Sequence, residues 1–85
     1  MRYKVLLKKQ ALKDLARLKQ VGLAEKALEM GKAMEANPFQ PPYEKLTGNL
    51  TGKYSRRINI QHRMVYTVDD EKREVHILRM WTHYE

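Results

Sequence analysis

The chain has 85 residues, enough for one domain with a modest core that removes roughly 60–65% of its unfolded surface from water. It has no cysteine, which excludes disulfides and thiolate metal sites, and no apolar stretch long enough for a signal peptide or a membrane span, so a cytoplasmic protein is expected. Its net charge of +7 points to anionic partners such as nucleic acid or an acidic protein.

"YKVLL" near the start is a short apolar run with β-favouring Tyr3 and Val5, and it predicts a first strand. From Lys8 the spacing changes to steps of three and four at Leu12, Leu15, Ala16 and Lys19, which predicts a helix that Gly22 ends. Leu23, Ala27, Met30 and Met34 repeat the helical step on a run rich in Ala, Glu, Lys and Met. Asn37-Pro38 closes that second helix, because a residue before proline avoids the α region. The two helices should form an antiparallel hairpin.

"NPFQPPYEKLTGNLTGKY" reads as a connecting segment, its prolines and glycines marking turns. After it the period becomes two. "YSRRINI" sets Tyr54, Arg56, Ile58 and Ile60 on one face and Ser55, Arg57 and Asn59 on the other. "HRMVYTVDD" alternates Met64, Tyr66 and Val68 with Arg63, Val65 and Thr67, and "REVHILRMWTHY" alternates Val75, Ile77, Arg79, Trp81 and His83 with His76, Leu78, Met80, Thr82 and Tyr84. Short joins make these antiparallel hairpins. The expected fold is α+β, in the order β-α-α-β-β-β, with the helix hairpin on one face of a mostly antiparallel twisted sheet spanning residues 1–85.

If Met64, Tyr66 and Val68 face the helices, Arg57 and Arg63 both lie on the open face. Glu44, Arg57, Arg63 and His83, with Tyr84 alongside, then supply a proton acceptor, a proton donor and two guanidinium groups. Those are the groups that metal-free RNA cleavage needs, with attack by a 2′-hydroxyl on its neighbouring phosphate. Each residue also has a plainer reading: Glu44 as a solvated loop acid, Arg56 and Arg57 as strand-face charges, His62 as a surface histidine in a turn, and Trp81 as packing. The three histidines have neither metal-ligand spacing nor an H-E-x-x-H pattern, so no metal or other cofactor is expected.

The segment "YEKLTGNLTGKYSRRINIQHRMVYTV" with the terminal "THY" resembles the YoeB (Txe/YoeB) toxins of the RelE/ParE superfamily. The shared features are Glu44, Leu46, Asn49-Leu50, Gly52, Tyr54, Ser55-Arg56-Arg57-Ile58, His62-Arg63-Met64-Val65-Tyr66 and His83-Tyr84. The resemblance implies an endoribonuclease that cuts mRNA in the ribosomal A site. It implies a Phd/YefM-type antitoxin as partner, operator DNA contacted only through that complex, and a homodimer. Carried over by residue, it makes Glu44 the general base, His83 the general acid and Arg63 the transition-state stabiliser. Arg57, Arg56, Lys45 and Tyr84 would bind or position substrate. Thr47 stands where the family tends to carry a lysine, and Glu85 extends the His-Tyr terminus. A ParE-like gyrase poison and a non-catalytic ribosome- or RNA-binding module are the competing readings. The presence of Glu44, Arg63 and His83 together argues against the first, whereas the +7 charge would suffice for the second, which alanine at Glu44 or His83 would separate from an enzyme.

Overall fold

The computed structural model describes residues 2–81. Strand β1 (Lys4–Leu7) leads into helices α1 (Lys9–Gln20) and α2 (Ala24–Met34). Four strands follow: β2 (Glu44–Lys45), β3 (Tyr54–Arg57), β4 (Arg63–Asp69) and β5 (Glu74–Arg79), with a short 3-10 turn at Gly48–Leu50. The sheet runs β1-β5-β4-β3-β2. Among the described strands only the β1–β5 pair is parallel. The fold is therefore α+β with the expected order, plus a fifth strand that sequence periodicity did not mark.

The helix hairpin turns at Gly22. Its φ of +77° places it in the left-handed region, which a residue with a side chain enters at a cost. The Gly22 N–H donates to the Lys19 carbonyl and the Leu23 N–H to the Leu18 carbonyl, so the end of α1 is closed by a glycine cap that satisfies two otherwise orphaned carbonyls. The face of α1 turned to the sheet carries Ala11, Asp14 and Leu18, all buried. The Leu12–Leu15–Ala16–Lys19 spacing marks the helix correctly but not its inner face: Leu12 is 56% exposed. On α2, Ala27 and Met34 are buried and Leu23 and Met30 pack against the core, as their spacing implies.

Between helices and sheet lie Ile58, Met64, Tyr66, Val75, Ile77 and Met80, all essentially inaccessible to water. Gly31 of α2 faces this layer. A Cβ built there would lie 3.8 Å from Ile77 Cδ1 and 4.0 Å from Val5 Cγ1, ordinary contact distances. Gly31→Ala should therefore stabilise the protein by about 0.5–1 kcal/mol, through helix propensity and a less floppy unfolded chain. That is roughly a 3–8 °C rise in Tm for a domain of this size. A fall in Tm would mean that α2 already sits as close to the sheet as it can.

Three expectations about strands need correction. β3 ends at Arg57 rather than running on to Ile60, because Asn59 Oδ1 accepts the Gln61 and His62 N–H groups and turns the chain. Ile60 then projects outward and is 90% exposed. His62 is buried rather than superficial, with 4% of its surface accessible. Finally, β5 does not alternate strictly. Tyr66 pairs with Ile77 and Val65 with Arg79, so Leu78 is an extra residue, a β-bulge. Beyond it, Met80 joins Val75 and Ile77 in the core and Arg79 crosses to the open face. Among the described residues no helix is long and apolar enough to cross a membrane.

Candidate active site

β2 is two residues long and sits at the sheet edge, but it fixes Glu44. Glu44 pairs with Ser55 of β3, and Ser55 pairs with Val65 of β4. Directly opposed residues share a face. Glu44, Ser55 and Val65 thus form one row on the face away from the helices, and the Arg57–Arg63 pair forms the next. The parity expected for Arg57 and Arg63 holds.

Arg63 Nη1 donates to Glu44 Oε1 at 2.5 Å and to Ser55 Oγ at 3.3 Å. The Arg63 side chain is 19% exposed and that of Glu44 59%. Arg63 is therefore largely enclosed and held in place, while the carboxylate keeps an open side. Arg57 stands directly across from Arg63. Two like charges opposed across strands destabilise a sheet. Among the described residues the Glu44 carboxylate pairs with Arg63. A concavity bordered by Pro42, Tyr43, Glu44, Ser55, Arg57 and Arg63 lies above the pair. Chemically, two opposed guanidinium groups with a carboxylate beside them can receive an anion.

The path of the chain into Glu44 is set from the other face of the sheet. Arg56 alternates with Arg57 and points away from the concavity. Its guanidinium donates to the carbonyls of Pro38 (3.5 Å), Gln40 and Pro42 (3.2 Å). Tyr66 donates its hydroxyl to the Pro38 carbonyl at 2.8 Å, and burial raises that phenol above its ordinary pKa. Tyr54 packs edge to face against both Phe39 and Tyr43, which are tilted against each other, all with centroids 5.4–5.9 Å apart, and Tyr54 also lies against Tyr66. Arg56 is thus engaged in holding residues 38–42 to the sheet, not gathered with Arg57 and Arg63. Lys45, adjacent to Glu44 in an extended strand, opposes Tyr54 and so sits on the other face at the exposed edge. Thr47 follows as the cap of the 3-10 turn.

His83 and Tyr84 lie outside the described residues. The residues leading to them are tightly held. Asp14, buried within α1, accepts the Met80 N–H at 3.0 Å with one oxygen and the Gln10 amide at 2.9 Å with the other. The Trp81 ring lies between the His62 ring (4.2 Å between centroids) and the Arg17 guanidinium (4.2 Å). Asp14, Arg17 and His62 were not legible as partners of the C-terminal strand; only a charged residue on a helix face otherwise turned inward could have drawn attention to Asp14. At the opposite edge, Tyr3 donates to Asp70 at 2.7 Å under the Arg73 guanidinium, a separate structural latch. Among the described residues no three His, Asp or Glu side chains are grouped so as to hold a metal ion.

The chain resembles known proteins in both sequence and fold. The sequence profile of YoeB-like toxins of bacterial type II toxin–antitoxin systems matches residues 7–84. Toxin YoeB of Synechocystis sp. is 43% identical over 56 residues, which span 64% of this chain and 63% of that protein. The YoeB/ParE toxin from Agrobacterium tumefaciens superposes with a TM-score of 0.85 at 25% identity, covering 95% of this chain and 99% of that one. YoeB of Staphylococcus aureus is 37% identical over 99% of this chain and its whole own length. It superposes with a TM-score of 0.80 as solved in a dimer and 0.78 as solved in a complex with YefM. With the profile spanning nearly all of the sequence, this chain belongs to the YoeB-like toxins of bacterial type II toxin–antitoxin systems.

Proposed function

We propose that this toxin is a ribosome-dependent endoribonuclease that cleaves mRNA in the A site by metal-free acid–base chemistry and thereby stops translation. The observation that carries this reading is the Arg57–Arg63 pair, opposed across β3 and β4 with the Glu44 carboxylate 2.5 Å from Arg63. Opposed arginines are satisfied by a phosphate between them. A carboxylate at its edge is within reach of the hydroxyl beside that phosphate.

The reaction divides as follows. The scissile phosphate enters between Arg57 and Arg63 and competes with Glu44 for the Arg63 guanidinium. The carboxylate so released takes the proton of the 2′-hydroxyl. The 2′-oxygen forms its bond to phosphorus while the bond to the 5′-oxygen breaks. Arg63 and Arg57 hold the added negative charge of the transition state. His83 donates a proton to the departing 5′-oxygen, and Tyr84 positions that acid or the substrate. The products are a 2′,3′-cyclic phosphate and a free 5′-hydroxyl. Arg56 and Lys45, proposed from sequence as substrate contacts, stand on the other face; Arg56 serves the site through the loop that delivers Glu44.

A YefM/Phd-type antitoxin is the proposed partner, since the S. aureus relative was solved in a complex with YefM. Charge agrees: a +7 chain with arginines on its open face suits an acidic segment that orders on binding. A homodimer is proposed on the same footing from the S. aureus YoeB dimer. The site of action is the cytoplasm, where ribosomes and mRNA are found.

The test is translation of a defined mRNA on purified ribosomes, with RNA 5′-ends mapped by primer extension. Discrete cuts at the A-site codon are expected. Arrested translation without cuts would replace the enzyme by a ribosome-binding module. Unaffected translation, with loss of gyrase supercoiling at stoichiometric protein, would move the toxin to the ParE branch.

A further inference from the structure

The bulge in β5 has a consequence for the open face. In a regular antiparallel ladder continued from the Tyr66–Ile77 pair, Val65 would oppose Leu78 and Met64 would oppose Arg79. Met64 is fully buried, so a guanidinium would enter the core. The extra residue at Leu78 sets Arg79 opposite Val65 instead. The row Glu44–Ser55–Val65–Arg79 therefore crosses four strands on one face. Arg79 is exposed there. Arg63 lies two residues along β4 from Val65, which makes Arg63 and Arg79 diagonal neighbours at about 7–8 Å. Arg57, Arg63 and Arg79 thus step across β3, β4 and β5, away from the edge that carries Glu44.

We propose that Arg79 is an RNA-backbone contact that holds the phosphate adjacent to the scissile one. The inference rests on the reading of this face as the RNA-cleaving site and adds a residue to it. The diagonal separation matches the step from one phosphate to the next along an extended strand, whereas a second guanidinium on the scissile phosphate itself is already provided by Arg57. An exposed arginine fork recognises a phosphate by geometry as well as charge. Placed one phosphate away, it fixes the direction and register of the strand without touching the reacting atoms. Bulges next to sites commonly re-aim one side chain in this way.

The experiment measures binding of a short single-stranded RNA carrying a 2′-O-methyl group at every position, so that it cannot be cut, by fluorescence anisotropy across a salt series. Wild type, Arg79→Ala, Arg79→Lys and Lys26→Ala are compared, Lys26 being an exposed cation on α2. Arg79→Ala should bind severalfold more weakly. Its slope of log K against log salt should be shallower by about 0.7, the loss of one single-strand phosphate contact. Arg79→Lys should restore the slope and part of the affinity, and Lys26→Ala should change neither. On programmed ribosomes Arg79→Ala should raise KM and leave kcat within about twofold. An unchanged slope in Arg79→Ala, or an equal loss in Lys26→Ala, would overturn the assignment while leaving the cleavage site intact. A fall in kcat at unchanged affinity would also overturn it, by placing Arg79 on the transition state. Failure of the wild type to bind the RNA would remove the reading of this face as an RNA surface, and Arg79 with it.

Discussion

Glu44→Gln should lower single-turnover cleavage of ribosome-bound mRNA by about 10²–10⁴-fold, the usual loss for a missing general base. Stability should hardly change. The Glu44 side chain is 59% exposed, and pairs with an exposed member contribute little, about 0–1 kcal/mol. Glutamine also keeps an oxygen that can accept from Arg63 Nη1, so the guanidinium stays in place. The substitution therefore separates proton transfer from positioning. Arg63→Ala would not, because it removes the transition-state cation and releases both Glu44 and Ser55 at once. His83→Ala should reproduce the size of the Glu44→Gln loss, and the double variant should be little worse than either, as happens when residues act as one unit. Thermal unfolding of each variant, followed by circular dichroism, supplies the control. Near-wild-type cleavage by Glu44→Gln with an unchanged Tm would reduce Glu44 to a clamp on Arg63 and leave the reaction without its base.

The face carrying Arg57 and Arg63 was legible because β3 and β4 keep a strict period of two with large apolar residues at Met64 and Tyr66 to fix the parity. The helices were legible for the same reason at a different period, although α1 turned a neighbouring face inward, since Ala11 and Leu18 pack more closely on the sheet than Leu12 could. Three features left no periodic mark. The strand holding Glu44 has two residues, too few for any period, and owes its place to the Arg56 and Tyr66 contacts on residues 38–42. The bulge at Leu78 inserts one residue into a run that alternates plausibly on paper, so sequence put Arg79 with Ile77 and the structure puts it with Val65. Arg56 and Arg57 are chemically identical and adjacent. Which one serves the concavity and which the loop depends on parity for the first and on the fold of a distant segment for the second.

Asp14→Ala should cost about 2–3 kcal/mol, close to the full loss of a buried acceptor that takes two hydrogen bonds, one of them from the Met80 backbone N–H. In a domain of this size that is a fall in Tm of roughly 10 °C or more. The larger consequence is functional. The Met80 N–H lies just past the bulge, and its bond to Asp14 fixes the turn of the strand that sends Met80 inward and Arg79 outward. Trp81 is then clamped between Arg17 and His62, two residues before His83. Releasing the Met80 anchor loosens the end of β5 and Trp81 with it. Measured well below the lowered Tm, with the protein still folded, Asp14→Ala should lose cleavage through kcat if the proposed acid, His83, depends on the Met80 anchor, while the proposed phosphate contacts Arg57 and Arg63 should keep the affinity. Asp14→Asn retains an oxygen for the Met80 N–H and should restore most of the rate as well as most of the Tm. If Asp14→Ala unfolded earlier yet cleaved normally at low temperature, the carboxylate would be a strut for α1 alone. If it kept both its Tm and its rate, the end of β5 would be positioned by the Trp81 stack without help from the helix.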